Sequence, residues 1–512
     1  MANDAQSSTP DQPSFDPFIF FTTAGFAVLV VTASIINLEA TNWILKAIQG
    51  WVVNQFAWLF VISVTGFLVF AIYLCISKYG RIRLGPNDST PDFTRMTWFA
   101  MLFSAGMGIG LVFYGVAEPV LHYVNPPSES PMTPAAARDA MRITMFHWGF
   151  HAWGIYAIMG MALAYFHHRL GKPLAIRCTL EPFLGRYTNR SAGKFVDVLA
   201  VLGTLFGLAT SLGLGASQIN AGLDRLFGVD TAVTAQLWII GIITLCATVS
   251  LVTGLDKGIR RLSELNMLLA LLLLVFVLVL GPTAYLLRGL PDHLGSYLQR
   301  VAGMSLYTDA FRVSTWQASW TLFYWAWWIS WAPFVGTFIA RISRGRTIRE
   351  FVLGVLLVPT LAGVVWFGIF GGAALHIELF AGGGISEAVK ANVATAIFAL
   401  LDHFPFAQVT SLIAVILIAV FFVTSSDSGS FVVDMLTSGG HPSPPVWQRI
   451  FWAFTEGTLA AILLLVGGLG ALQAGAISTG LPFCIVLIFI SFSLMRSLRG
   501  DSVPNKLPPT LP

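Results

Sequence analysis

The stretch Ser104–Pro119, SAGMGIGLVFYGVAEP, sets Gly106, Gly108 and Gly110 inside a run otherwise apolar enough to cross a membrane. Each glycine costs about 1 kcal/mol of helix relative to alanine. A phosphate-binding loop would need a preceding strand and a Lys-Ser/Thr pair, and the stretch carries neither. Two readings stay open. Small residues let helices pack closely, or the helix is interrupted so that freed backbone N–H and C=O groups line a cavity at mid-depth. Spacing at i, i+2 and i+4 spreads the glycines over more than one helix face, which favours the interruption.

The surrounding chain reads as a membrane protein. Of its 512 residues 56% are hydrophobic and 11% charged, and the mean hydropathy is +0.75. Soluble domains carry about 25% charged residues. Uncharged segments of roughly the 17 to 25 residues that a crossing needs recur near 18–38, 54–76, 97–117, 145–165, 195–215, 235–253, 266–288, 318–339, 352–374, 406–426, 450–466 and 477–494. This predicts an all-α protein of twelve transmembrane helices, one membrane domain over 18–495 with tails at 1–17 and 496–512. Asp4, Asp11 and Asp16 precede the first segment without any Lys or Arg, so it lacks the basic start of a cleaved signal peptide. The stretches 289–317 and 375–405 are of a size for surface helices.

With the N-terminus inside, 21 of the 29 basic residues fall on inner loops and tail, and 8 fall outside. The positive-inside rule then places both termini in the cytoplasm. The net charge of +4 is a topology signal, and no nucleic-acid partner is expected. Cys75, Cys178, Cys246 and Cys484 lie far apart without CxxC spacing, which argues against a disulfide framework or a zinc site.

Two aromatic clusters stand out. In His147–Tyr156, HWGFHAWGIY, an unbroken helix at about 100° per residue puts Trp148, Tyr156 and Trp153 near 0°, 80° and 140°. In Phe323–Phe334, FYWAWWISWAPF, Trp327, Trp331 and Trp328 fall near 200°, 240° and 300° from Trp325. Membrane Trp commonly marks the interfacial belt, yet two convergent arcs suit a cage for a quaternary ammonium, whose charge ring faces attract without a hydrogen bond. His147 and His151 at i, i+4 lack the Glu of HExxH and read as packing or hydrogen-bonding residues. Phe421–Ser430, FFVTSSDSGS, offers adjacent hydroxyls, hard oxygen ligands for an alkali cation. Ionisable groups within the segments are sparse, with Asp197 near a start and Glu118 and Asp427 near ends. The absence of a chain of buried carboxylates favours sodium over protons.

These motifs, with SLGLGASQINAGL and KGIRRLSELN, make the chain resemble the betaine/choline/carnitine transporter (BCCT) family from its first helix to its twelfth. The resemblance implies a LeuT-type core of two inverted five-helix repeats, helices three to seven and eight to twelve, after two N-terminal helices. It implies interrupted third and eighth helices, alternating access, a homotrimer, and a place in the bacterial cytoplasmic (inner) membrane. Carried over by position, Trp148, Trp153, Tyr156, Trp327, Trp328 and Trp331 form the aromatic box. Ala105 and Met107 offer backbone to the substrate carboxylate and Ser211 a hydroxyl. Sodium falls to Ser104, Met107, Phe421, Thr424 and Ser425. A second ion site, at Thr204 and Phe334, is in doubt because Leu208 stands where some members have a second Thr. Some choline-preferring members carry Asp where this chain has Gly110, which points to a zwitterion with its own carboxylate. The tail after Arg499 is short, unlike that of members that sense osmotic stress through it.

The expectation is therefore not an enzyme but a secondary active symporter. It would import glycine betaine or a related methylated zwitterion for osmoprotection, with Na+ as coupling ion and no other cofactor. The alternative is a choline, carnitine or dimethylsulfonium-zwitterion transporter, with either sodium or protons as the coupling ion.

Overall fold

Long apolar runs satisfy their own backbone hydrogen bonds only as helices when water is excluded, and helix dominates the fold. The computed structural model describes residues 15–106, 108–253, 256–311, 315–441 and 444–501. The longer helices are α1 (Pro17–Ile36), α2 (Leu38–Ile76), α3 (Arg95–Gly106), α4 (Ile109–Val124), α5 (Pro134–Trp148), α6 (Phe150–Ala164) and α7 (Ser191–Phe227). They continue with α8 (Val233–Thr253), α9 (Asp256–Leu280), α10 (Thr283–Ser305), α11 (Phe323–Ile342), α12 (Ile348–Phe380), α13 (Ala407–Thr437) and α14 (Val446–Gly500). Among the described residues there is no strand, only an isolated bridge between Arg83 and Thr347.

By length and hydropathy eight of these helices can cross a membrane, or nine spans if the bent pair α3 and α4 counts as one. The twelve apolar segments fall on helix with shifted boundaries. Asn37 ends α1 and caps α2 by accepting the Ala40 N–H at 2.9 Å. At 39 residues α2 is about 58 Å long, nearly twice the hydrocarbon core. Gly281 and Pro282 stop α9 short of the expected 288, and α10 and two short helices, Ile385–Ala391 and Ala396–Leu401, fill the stretches read as surface helices. The last two segments share α14, whose helix is broken at Gly467 and Gly468 and runs to Gly500, past the expected boundary at 495. Residues 1–14 and 502–512, most of the expected tails, lie outside the described residues.

Burial separates centre from rim. In α7, 83% of the apolar window is buried, against 22% in α9, whose exposed Leu268, Leu271 and Leu272 form an outward apolar face suited to lipid. The aromatic α11 is apolar all round and almost wholly buried, as a central helix should be.

The third crossing is interrupted as expected. Arg95–Ser104 and Ile109–Val124 are bent 66° apart. Gly106 is the last helical residue of the first arm and Gly108 is extended at the N-cap of the second. Gly110 lies within α4 and is helical, so it is not part of the interruption. The segment read as the eighth crossing differs from expectation. It carries a π-turn at Ala318–Leu322 and then runs unbroken through the cluster of indoles to Ile342.

Two ion pairs, one buried and one partly buried, tie helix ends together. Asp197, fully buried on α7, accepts the Arg177 backbone N–H at 2.9 Å and Arg177 Nη1 at 2.5 Å. Arg177→Ala leaves that carboxylate uncompensated and is expected to cost about 3–5 kcal/mol, read as a lowered melting temperature of the detergent-solubilised protein. Arg169, at the end of a π-turn that follows α6, grips Asp501 through Nε at 2.5 Å and Nη2 at 2.8 Å. Its Nη1 donates to the Arg83 and Gly85 carbonyls and to Asn87 Oδ1.

Candidate functional site

A cavity of about 340 Å³ lies at the break between α3 and α4. Ser104 borders it from α3, Gly108 from the break, Gly110 from the first turn of α4, Trp148 from α5 and Ser211 from α7. Trp327, Trp328, Trp331 and Phe334 of α11 face it, and Phe421, Thr424 and Ser425 of α13 close another side. Residues assigned from three distant motifs thus share one chamber. Met107 lies outside the described residues, and Ala105 sits in the last turn of α3.

The aromatic wall is tightly built. Trp327 and Trp328 stack at 4.8 Å with 13° between planes, and Trp148 stands edge-on to Trp328 at 4.9 Å. Their N–H groups point away into hydrogen bonds: Trp148 to Glu118 Oε2 at 2.7 Å, Trp328 to the His147 carbonyl at 3.0 Å, Trp327 to the Gly207 carbonyl at 3.3 Å. That fixes the ring orientations. Gly110 faces two of these rings, and a Cβ there would stand 2.7 Å from Trp327 Cη2 and 3.1 Å from Trp148 Cη2. Such approach is tolerated only by glycine.

Trp153 and Tyr156 do not line the chamber. Trp153 borders a separate void of about 20 Å³ beside Trp148 and Phe103, and Tyr156 packs on Trp153 at 5.4 Å and on Trp328 at 6.4 Å. They back the wall. The single arc drawn through Trp148, Trp153 and Tyr156 assumed one helix, whereas Gly149 breaks it at φ −94° and ψ −140°. The angular bookkeeping fails across that break, and it holds on the unbroken α11.

On the opposite side, Thr424 Oγ1 donates to the carbonyls of Val420 at 3.0 Å or Phe421 at 3.2 Å and accepts from Asn266 Nδ2 at 3.3 Å. Ser211 Oγ is only loosely tied, 3.4 Å from the Gly207 carbonyl. Thr204 lies off the cavity and donates to the Ala200 carbonyl at 2.8 Å, while Phe334 lines it, so the two do not meet there. Leu208 presses its methyls on bare Gly429, where a Cβ would collide with Cδ1. Apolar contact therefore occupies the place next to Thr204.

Sequence reasoning missed one whole side, Ser263, Asn266 and Met267 of α9. The available signal was an amide at the start of a long leucine run. It also undervalued Glu118, read as near a helix end although α4 continues to Val124. Glu118 is fully buried. Its Oε1 meets His147 Nδ1 at 2.7 Å and His122 Nε2 at 3.3 Å, and its Oε2 accepts Trp148 Nε1 at 2.7 Å and Tyr324 Oη–H at 2.5 Å. With Nδ1 donating, His147 Nε2 accepts from Thr321 Oγ1 at 3.0 Å. His151 instead pairs with Ser305 Oγ at 2.9 Å, so the two histidines of the i, i+4 pair serve different partners.

The expectation of few buried carboxylates is overturned. Besides Glu118 and Asp197, the carboxylates of Asp427, Asp434 and Glu456 are buried. The span was expected to end at 426, but α13 continues to Thr437 and packs its last turns on the first arm of α14.

Known proteins resemble this chain over nearly its whole length. The family model described as "BCCT, betaine/carnitine/choline family transporter" matches residues 18–503. A glycine betaine transporter of Acinetobacter baylyi is 45% identical over 96% of this chain and 74% of its own length. The glycine betaine transporter OpuD of Bacillus subtilis is 46% identical over 94% of each chain. A high-affinity choline transport protein of Escherichia coli is 41% identical over 97% of this chain and 74% of its own. These relatives are named as transporters, not enzymes. A family match over nearly the whole length, together with identities above 40%, means that this chain belongs to the betaine/carnitine/choline transporter family.

Proposed function

We propose that the protein is a sodium-coupled symporter of glycine betaine or a closely related methylated zwitterion. The reading includes twelve crossings arranged as two inverted five-helix repeats after two N-terminal helices. It also includes alternating access, a homotrimer in the cytoplasmic membrane, and both termini inside the cell. One observation carries it: the chamber joins stacked indoles to Thr424 and Ser425 across an interrupted helix, and no acidic residue lines it among the described residues. The indoles suit the ammonium. A choline cation would find no counter-charge, while a zwitterion brings its own and aligns it with the break and with Ser211. The naming of two relatives as glycine betaine transporters supports the same substrate, and the choline relative keeps choline as the second reading.

Uptake of labelled glycine betaine into proteoliposomes, with pH equal on both sides, is expected to concentrate substrate when an inward sodium gradient is imposed and not when sodium is equal. Accumulation indifferent to sodium would sink the coupling, and stronger competition by choline than by unlabelled betaine would sink the substrate. Thr424→Ala or Ser425→Ala is expected to weaken apparent sodium affinity about tenfold, the effect of roughly 1.4 kcal/mol. Betaine binding at saturating sodium should be largely kept.

A further inference from the structure

The last turns of α13 and the first arm of α14 enclose a carboxyl group with no place in the chamber. Glu456 is 0% exposed. Its Oε2 lies 2.9 Å from Ser430 Oγ, and Oε1 has no hydrogen-bond partner among the described residues. No Lys, Arg or His pairs with it among them. Ser430 sits between Asp427, three residues before, and Asp434, four after, so all three share one face of α13. Asp434 is 3.2 Å from Arg449 Nε, two turns before Glu456 on α14.

Among the described residues the other elements packed here bring no counter-ion to Glu456: Arg341 of α11 lies over the Phe431 ring at 5.2 Å, and α9, packed on α13, carries Lys257, Arg260, Arg261 and Glu264 in its first turns. Helix α8 carries no charged residue. At the start of α1, Asp16 pairs with Lys194 of α7, and the remaining charged residues of α7 include Asp197, held by Arg177, and Arg225, held by Asp402. Asp224 completes α7, and Glu39 and Lys46 lie in the first turns of α2.

An ionised carboxylate in such a place, fully buried and with one neutral hydroxyl as its hydrogen-bond partner, is far costlier than the neutral acid. We propose that Glu456 is a proton-binding site that loads and unloads during transport, so that a proton moves with substrate in addition to sodium. In the packed arrangement Glu456 Oε2–H donates to Ser430 Oγ over the same 2.9 Å. When α13 and α14 part and water enters, the cost of ionisation falls and the proton leaves to water. Ser430 is on the helix that presents Thr424 and Ser425, so a shift of α13 with its ion alters the Glu456 environment as well. This inference rests on the transport reading above and deepens its coupling.

The test uses the full chain in voltage-clamped proteoliposomes with labelled glycine betaine. With sodium equal on both sides, a tenfold inward proton gradient is expected to drive accumulation toward about tenfold if one proton accompanies each substrate. Glu456→Gln, which mimics the neutral acid, should lose this proton-driven accumulation and keep sodium-driven uptake. Wild-type vesicles that ignore the proton gradient, or a variant that still answers it, would overturn the proposal. Should the variant not insert, a trapped pH dye in wild-type vesicles decides. Acidification of the lumen during sodium-driven uptake supports the proposal, and a constant internal pH overturns it. Failure of the sodium arm in wild type would instead strike the transport reading, so the two failures are distinguishable.

Discussion

Glu118→Ala is expected to weaken glycine betaine binding by at least about a hundredfold, a loss of roughly 2.7 kcal/mol. The carboxylate touches no part of the chamber, yet it orients Trp148 and Tyr324 through Oε2 and His147 through Oε1. Removing it leaves several buried donors unpaired at about 1–3 kcal/mol each. The indole of Trp148 then loses the bond that fixes its edge against Trp328. Glu118→Gln keeps the volume and one acceptor oxygen, and should fall between alanine and wild type. Tryptophan-fluorescence titration with betaine measures the affinity, and a melting curve on the same sample separates lost binding from lost fold. Affinity unchanged in the alanine variant would remove Glu118 from any positioning role.

Gly110→Ala should act on the same wall from its other side. The added methyl would stand 2.7 Å from Trp327 Cη2, and that ring has little room to retreat, being stacked on Trp328 at 4.8 Å and on Phe323 at 5.3 Å. Overpacking of this kind costs about 1–3 kcal/mol, and the strain falls on the rings that would face the ammonium. Betaine affinity is expected to drop about tenfold to a hundredfold, with sodium affinity changed much less. Equal losses in both would show that the methyl disturbs the break as a whole rather than the aromatic wall. Gly110→Asp adds the same clash and a buried charge, so a gain of choline binding in that variant would require the rings to move aside first.

What the sequence disclosed follows from how local each signal was. The helical class and the interruption at Gly106 and Gly108 rest on neighbouring residues, and the structure has both. Trp327, Trp328 and Trp331 were grouped correctly because α11 is one continuous helix. Trp153 and Tyr156 were misplaced because Gly149 resets the helical phase, a backbone event that residue spacing does not report. Asn266 and Glu456 were missed for another reason. Asn266 closes a polar stretch at the edge of an apolar run and Glu456 lies inside one, and the meaning of each arises only from the partner that a distant helix supplies: Thr424 for one, Ser430 for the other. Boundary errors had the same origin. The span ending at 426 was drawn by hydropathy, whereas α13 continues for more turns because buried partners on α14 satisfy its polar side chains.

The grip of Arg169 on Asp501 gives the far end of α14 a mechanical identity. One guanidinium joins three stretches of chain remote in sequence: the segment after α6, the loop at 83–87 and the final helical turn. Asp501 is consequently fastened to the segment after α6 and to that loop as well as to α14. A displacement of Asp501 is therefore shared with the segment that follows α6, the helix carrying Trp153 and Tyr156, and with the loop at 83–87, so these three stretches are fastened as one joint.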